Sequence, residues 1–219
     1  MTEPSAPAAT SIFNRPGPHL VIRDFFGEAM VARLLGFAES NQGAFEQSGI
    51  TNPEDGHRIV PSFRVSHRLT PITELVPIIE ARVEEILDDV FEALGCARFA
   101  PSEFEIEMVA HGHGAFFKQH IDTITGDTVA GDGNGDRRTS RVVSMVYYFC
   151  ATPARFSGGQ LRLNSLAASG ETGTYVDIEP VNDTALFFPS WFPHEVLPVV
   201  CESGQFMDSR FAINCWVYK

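Results

Sequence analysis

His120 and Asp122 stand two residues apart in FFKQHID, so on an extended strand both side chains leave the same face. A neutral imidazole beside a carboxylate is two thirds of the 2-His-1-carboxylate set that holds non-haem Fe(II) with coordination positions left open. Neighbours on one strand cannot complete a facial set, and His194 in FPSWFPHEVLPV is the best candidate for the third donor. Alone, the HxD pair also fits a hydrogen-bonded surface pair. The last strand-like run, RFAINCWVY, adds a second kind of chemistry. Arg210, Ala212, Asn214 and Trp216 alternate there with Phe211, Ile213, Cys215 and Val217. One face is apolar and suited to packing under helices. The other carries a guanidinium, an amide and an indole. A guanidinium is costly to bury unpaired, and its planar fork matches a carboxylate in two-point fashion. An anionic co-substrate would satisfy Arg210; at a sheet edge the same residue would simply be exposed.

These residues need strands to hold them, and the chain supplies them late. HLVIRDFF at 19–26 reads as a strand, and EAMVARLLGFAES at 28–40 has helical periodicity. Residues 43–69 are polar and broken by Gly and Pro, which predicts a long irregular segment of the kind that often covers a site. A second helix is expected from Thr70 as cap and Pro71 at its first position to Gly95, with Ile78, Val83, Ile86, Leu87 and Val90 as its apolar stripe. The period then changes to two. FEIEMVA, FFKQHID, RVVSMVYYF, QLRLN, TYVDIEP, ALFFPS, HEVLPVV and RFAINCWVY are short β-type runs set apart by Gly, Asp, Asn or Ser. Two helices followed by about eight strands imply an α+β domain, a β-sandwich or barrel braced by helices. Residues 1–18 read as a flexible tail and 19–219 as a single domain, with helical support over 19–100 and the strand core over 101–219.

Composition removes several function classes. A chain of 219 residues with 44% hydrophobic content can bury a sizeable core. Its net charge of −12 and lack of a basic run argue against a nucleic-acid partner. Nothing approaches the roughly 18 consecutive apolar residues of a membrane span, so no membrane partner is expected. The N-terminus lacks the pattern of a signal peptide. Cys96, Cys150, Cys201 and Cys215 form no CxxC pair and are expected as free thiols, mostly buried, in a reducing, cytoplasmic setting.

Three other motifs compete for attention. His111 and His113 form an HxH, but Gly, Ala, Phe, Phe and Lys follow where a cupin-type site needs a glutamate. GDGNGD at 131–136 resembles the start of a calcium loop, yet Arg137 replaces the turn glycine and Val143 the closing acid, so a hairpin near the site rim is the expectation. SGGQLRL lacks the lysine and helix start of a phosphate cradle, and its glycines read as a tight turn into a strand.

EMVAHGHGAFFKQHID, VVSMVYYF, SGGQLRL, VDIEP, ALFFPSWFPHEVLPV and RFAINCW, in that order, make residues 105–217 resemble the prolyl 4-hydroxylase branch of the Fe(II)/2-oxoglutarate-dependent dioxygenases, the oxygen-sensing (HIF-type) prolyl hydroxylases and their bacterial relatives above all. The resemblance implies a double-stranded β-helix, or jelly-roll, core. It implies Fe(II) on His120, Asp122 and His194, O2 and 2-oxoglutarate as co-substrates, and ascorbate as a reductant. Arg210 matches the arginine that grips the carboxylate remote from the metal, and Tyr148 a tyrosine reaching the same group. Asn214 and Trp216 match positions facing the iron, Arg141 an arginine near the substrate mouth. Leu161 in SGGQLRL and Phe117, where the family usually has a tyrosine, are further pocket candidates. PSFRVSHRL resembles an arginine-x-serine segment that precedes the family's core. The implied activity is hydroxylation of a prolyl residue in a protein or peptide with release of succinate and CO2. The same chemistry on a free amino acid or natural-product scaffold, or a metal-free jelly-roll binding module, are the alternatives.

Overall fold

The structure is a computed structural model that describes residues 12–52, 56–123, 141–167 and 173–219. The N-terminal half holds β1 (Leu20–Arg23), α1 (Glu28–Ser40), β2 (Glu46–Gln47), β3 (Ile50–Asn52), β4 (Gly56–Arg58), β5 (Arg64–Val65), β6 (His67–Leu69) and α2 (Val76–Leu94). The C-terminal half is strands: β7 (Glu103–His111), β8 (Phe116–His120), β9 (Arg141–Phe149), β10 (Ser157–Gly158), β11 (Leu161–Asn164), β12 (Tyr175–Ile178), β13 (Thr184–Pro189), β14 (His194–Val196), β15 (Val199–Val200) and β16 (Arg210–Tyr218). Two antiparallel sheets dominate. The major one runs β1-β13-β9-β16-β7-β6-β2, and the minor one β12-β11-β14-β8-β5.

Strand alternation sorts the side chains into two layers. On β16, Phe211, Ile213, Cys215 and Val217 join Met108, Met145 and Phe187 beneath the helical residues Leu34, Ile79, Val83 and Phe91. The opposite face of the major sheet gives Val146, Tyr148, Leu186, Phe188 and Ala212 to a second cluster with Leu161, Leu163 and Ile178 of the minor sheet. The two-faced reading of the last strand therefore holds. Helices cover one face, and the polar residues point into the space between the sheets.

Three expectations change. The 43–69 segment is not simply irregular: β6 extends the major sheet beside β7, and β5 pairs with β8 in the minor sheet. Backbone pairing can recruit short segments whose side chains show no periodicity. The second helix starts at Val76, not at Thr70. Ile72 and Leu75 are drawn into the core as a preceding turn, and Pro77 takes the first helical turn, where a missing N–H leaves nothing unsatisfied. The buried stripe is accordingly Ile79, Val83, Leu87, Val90 and Leu94, with Ile78 and Ile86 only partly covered. Gly95, at φ 65°, ends the helix in the left-handed region. Finally, the chain packs from well before residue 19. Pro16 bridges Ser165, the Thr174 hydroxyl donates to the Asn14 carbonyl, and a Cβ on Gly17 would lie 2.6 Å from the Phe192 ring. The 131–136 hairpin lies outside the described residues.

All four cysteines are free, three of them buried and Cys96 half-buried. Among the described residues no helix is long and apolar enough to cross a membrane.

Asp183 fastens the helical layer to the sheet. Its φ is 54°, a conformation that Asp tolerates better than most residues, and it is buried. Its carboxylate accepts from the Phe26 amide at 2.9 Å, the Gly27 amide at 2.8 Å and the Tyr147 hydroxyl at 2.8 Å. Asp183→Ala leaves three donors without this acceptor. Urea denaturation should show a loss of about 3 kcal/mol with an unchanged m-value; a loss under about 1 kcal/mol would deny the carboxylate this role.

Candidate active site

His120 ends β8 and His194 begins β14, and the two are register partners across that strand pair. Each ring is oriented by a carbonyl two residues upstream. His120 Nδ1 lies 2.8 Å from the Lys118 carbonyl, and His194 Nδ1 lies 2.9 Å from that of Phe192. A carbonyl only accepts, so both Nδ1 atoms carry protons and both Nε2 lone pairs are free. They point at Asp122. His120 Nε2 is 3.5 Å from Oδ1 and His194 Nε2 is 3.6 Å from Oδ2, and one donor atom from each residue falls within 4.8 Å of the others.

Asp122 lies just beyond the end of β8, not on it as the HxD spacing suggests. Its amide donates to the Ser190 carbonyl at 2.8 Å, which turns the chain back toward the histidines. Its Oδ2 accepts from the Ser144 hydroxyl at 2.7 Å, and Ser144 is 2.9 Å from the Ser190 hydroxyl. Ser144 has one proton to give and gives it to the carboxylate, so Ser190 must donate to Ser144. Burial alone would raise the Asp122 carboxyl; the two histidines and the Ser144 hydroxyl outweigh it and hold the group well below the usual carboxylate range. Burial pushes His194 down to about 4, against the pull of Asp122. At neutral pH the cluster therefore offers one carboxylate and a neutral buried imidazole. With His120 it is a donor set suited to a divalent metal with positions left over.

A second feature lies across the cavity. Arg210, at the start of β16, is 1% exposed. Its Nη1 is 3.2 Å from His111 Nδ1, and its guanidinium carbon sits 4.8 Å from the centre of the Tyr148 ring. Among the described residues, Nε and Nη2, one two-pronged edge of the guanidinium, have no hydrogen-bond partner, nor does the Tyr148 hydroxyl. Buried donors are rarely left so. The unpartnered fork matches a carboxylate in the same cavity. Gly159 makes room for it, since a Cβ there, at φ 71°, would lie 2.7 Å from Arg210 Cδ. The SGG turn is thus explained by the arginine it passes as well as by the strand that follows.

The cavity is walled by Phe117, Leu161, Val196, Asn214 and Trp216 together with these groups. Phe117 stacks on His120 with ring centroids 3.5 Å apart, and Asn214 donates to Glu107 at 3.1 Å. Arg141 stands beside the cavity, but its nitrogens are already engaged. They reach Glu105 at 2.5 Å, the Tyr218 hydroxyl at 2.9 Å and the Asp122 carbonyl at 3.1 Å, with Trp216 4.2 Å beneath the guanidinium. His113 accepts from the Cys201 amide at 3.2 Å while His111 turns to Arg210, so the HxH does not converge on one point.

A family model described as the 2OG-Fe(II) oxygenase superfamily matches residues 106–218. The chain belongs to that superfamily. As a 2OG-Fe(II) oxygenase it uses Fe(II), 2-oxoglutarate and O2, and its donor cluster and vacant guanidinium fork fit the metal and the co-substrate. Its fold is similar to that of a Pseudomonas putida prolyl-4-hydroxylase, with a TM-score of 0.64 and 22% identity over 93% of this chain and 94% of that one. It is also similar to a Trichoplax adhaerens prolyl hydroxylase in complex with a hypoxia inducible factor oxygen degradation domain peptide fragment, with a TM-score of 0.62 and 20% identity over 92% of this chain and 84% of that one. A PKHD-type hydroxylase of Synechocystis, itself uncharacterized, is 27% identical over 223 residues, which take in 100% of this chain and 69% of that one. The double-stranded β-helix of these oxygenases is the fold described above.

Sequence reasoning missed three residues of this candidate site, Arg64, Glu107 and Ser144, and noticed His111 without giving it a role. Arg64 on β5 lines the cavity 4.7 Å from the centre of the Phe117 ring and lies 3.6 Å from buried Glu107. The arginine-x-serine pattern was its only sign, and Arg64 Nε does donate to Ser66 at 3.0 Å. Glu107 and His111 share one face of β7, where polar residues at alternating positions were the available signal. Ser144 left none.

The Ser144 hydroxyl holds Oδ2 of Asp122 and so fixes the rotation of the carboxylate between the two histidines. Ser144→Ala should weaken Mn(II) binding about tenfold in a calorimetric titration, and Ser144→Thr should restore most of it. Equal affinities for wild type and alanine variant would remove Ser144 from the metal site.

Proposed function

We propose that this 2OG-Fe(II) oxygenase hydroxylates a prolyl residue of a protein or peptide, with His120, Asp122 and His194 holding the iron and Arg210 and Tyr148 gripping the remote carboxylate of 2-oxoglutarate. The observation that carries the site assignment is the unpartnered Nε/Nη2 edge of buried Arg210, set in one cavity with the His120–Asp122–His194 cluster. Bound Fe(II) couples the oxidative decarboxylation of 2-oxoglutarate, to succinate and CO2, to insertion of one oxygen atom of O2 into a substrate C–H bond.

The chain's own residues do the rest. His120 and His194 present lone pairs already aimed by backbone carbonyls, so little reorganisation is needed to bind metal. Arg210 and Tyr148 set how far 2-oxoglutarate enters and thereby which end meets the iron. Phe117, Leu161 and Val196 keep the cavity dry beside the reacting atoms. Arg141, held by Glu105 and Tyr218, acts on the prime substrate through Trp216, on whose ring it lies. Prolyl specificity draws support from the two prolyl hydroxylases whose folds this chain shares and from the peptide bound to one of them.

His120→Ala, Asp122→Ala and His194→Ala should each abolish 2-oxoglutarate decarboxylation while circular dichroism shows the fold retained. Wild-type-like turnover in any one would remove it from the metal set. Arg210→Ala should raise the 2-oxoglutarate requirement roughly a hundredfold, and Tyr148→Phe about fivefold. For the substrate, succinate release is measured against proline-containing peptides, free amino acids and lysate proteins, with mass spectrometry of the products. A gain of one oxygen on a prolyl residue is the expected result; turnover confined to free amino acids or small molecules would overturn the prolyl reading. Arg141→Ala should lower substrate-coupled turnover and spare the slow uncoupled decarboxylation, and an equal fall in both rates would place Arg141 with the metal site or the fold.

A further inference from the structure

His111 is a buried histidine that takes no part in the metal cluster. It lies directly across the strand pair from Arg210, its register partner, and its Nδ1 is 3.2 Å from Arg210 Nη1. A guanidinium has no acceptor, so Nδ1 must be the acceptor and the ring proton sits on Nε2. Burial, with the Arg210 and Arg64 guanidiniums close by, holds His111 well below the usual imidazole range, so the ring is neutral and its acceptor is available.

We infer that His111 is the positioning residue for co-substrate binding: it ties down Nη1 so that the Nε/Nη2 edge of Arg210 is presented, undivided, to the remote carboxylate of 2-oxoglutarate. The choice of a neutral acceptor follows from electrostatics. A carboxylate at position 111 would orient Arg210 equally well, but it would neutralise the guanidinium and compete with the ligand for the same donors. An aliphatic residue would leave Nη1 without its partner, and the guanidinium could turn any pair of its nitrogens toward the cavity. The remaining constraints on Arg210 do not fix that rotation. Tyr148 presents a ring face, and Gly159 supplies only room for the aliphatic stem. The contact with His111 is the one that assigns a particular nitrogen, Nη1, to a fixed acceptor.

This inference rests on Arg210 being the co-substrate arginine, and the test separates the two. The probes are Mn(II) alone and 2-oxoglutarate added to Mn(II)-loaded full-length protein, with dissociation constants read by calorimetry. His111→Leu should weaken 2-oxoglutarate about tenfold or more and leave Mn(II) affinity unchanged. His111→Asn, whose amide oxygen can stand where Nδ1 stands, should remain within about threefold of wild type. His111→Gln, which carries its acceptor one bond further out, should fall about fivefold or more below it. Should the leucine variant fail to fold, the Asn and Gln variants decide, and equal affinities for the two would overturn the inference. A parallel loss of Mn(II) affinity would show general damage to the site and overturn it as well. Arg210→Ala marks the boundary. If that variant binds 2-oxoglutarate like wild type, the reading of Arg210 fails. If it binds weakly while His111→Leu and His111→Gln bind normally, only the role of His111 fails.

Discussion

Strand pairing brings together only two of the three donors of the candidate metal cluster, the register partners His120 and His194. His120 closes β8, His194 opens β14, and Asp122 has already left the sheet. What returns Asp122 to them is the backbone hydrogen bond from its amide to the Ser190 carbonyl, which joins the turn after β8 to the turn after β13. That bond links the minor sheet to the major one, and the Ser144 and Ser190 hydroxyls repeat the link in side chains. A carboxylate so restrained stays aimed at the histidines.

The same economy governs the other end of the cavity. A buried guanidinium is tolerable only when its charge has somewhere to go. Here the folded chain satisfies one nitrogen and leaves an edge unsatisfied, which stores a binding free energy that a carboxylate ligand can release. The helices contribute indirectly. By covering Phe211, Ile213, Cys215 and Val217 they fix which face of β16 turns toward them, and alternation then delivers Arg210, Asn214 and Trp216 to the interior.

Much of this was legible in the sequence. The two-residue period of RFAINCWVY named both faces of the strand, and α1 runs from Glu28 to Ser40 as its periodicity required. His120 and Asp122 followed from residue type and spacing and His194 from the family resemblance of its segment, although Asp122 reaches the cluster from a bend and not from the strand face. What stayed hidden depends on which strands become neighbours. The His111–Arg210 contact joins residues 99 apart, and only the β7–β16 register makes it. Arg64 escaped because β5 is two residues long, too short to display a period, and owes its place to pairing with β8. The start of α2 was misplaced because Thr70 and Pro71 satisfy the local rules for a helix start while the burial of Ile72 and Leu75 follows from the tertiary structure.

Gly17 lies against the Phe192 ring, and the Phe192 carbonyl is the group that orients His194. Residues 106–218 carry the family signature, yet the loop that orients one of its histidines packs against a strap that lies outside that signature, about ninety positions before it begins. The catalytic half is therefore not a portable module. A chimera that grafted it onto a foreign N-terminal half would keep every donor atom and still lose the wedge behind one ring, so in this chain the strap and the loop it presses on should be exchanged together or left in place.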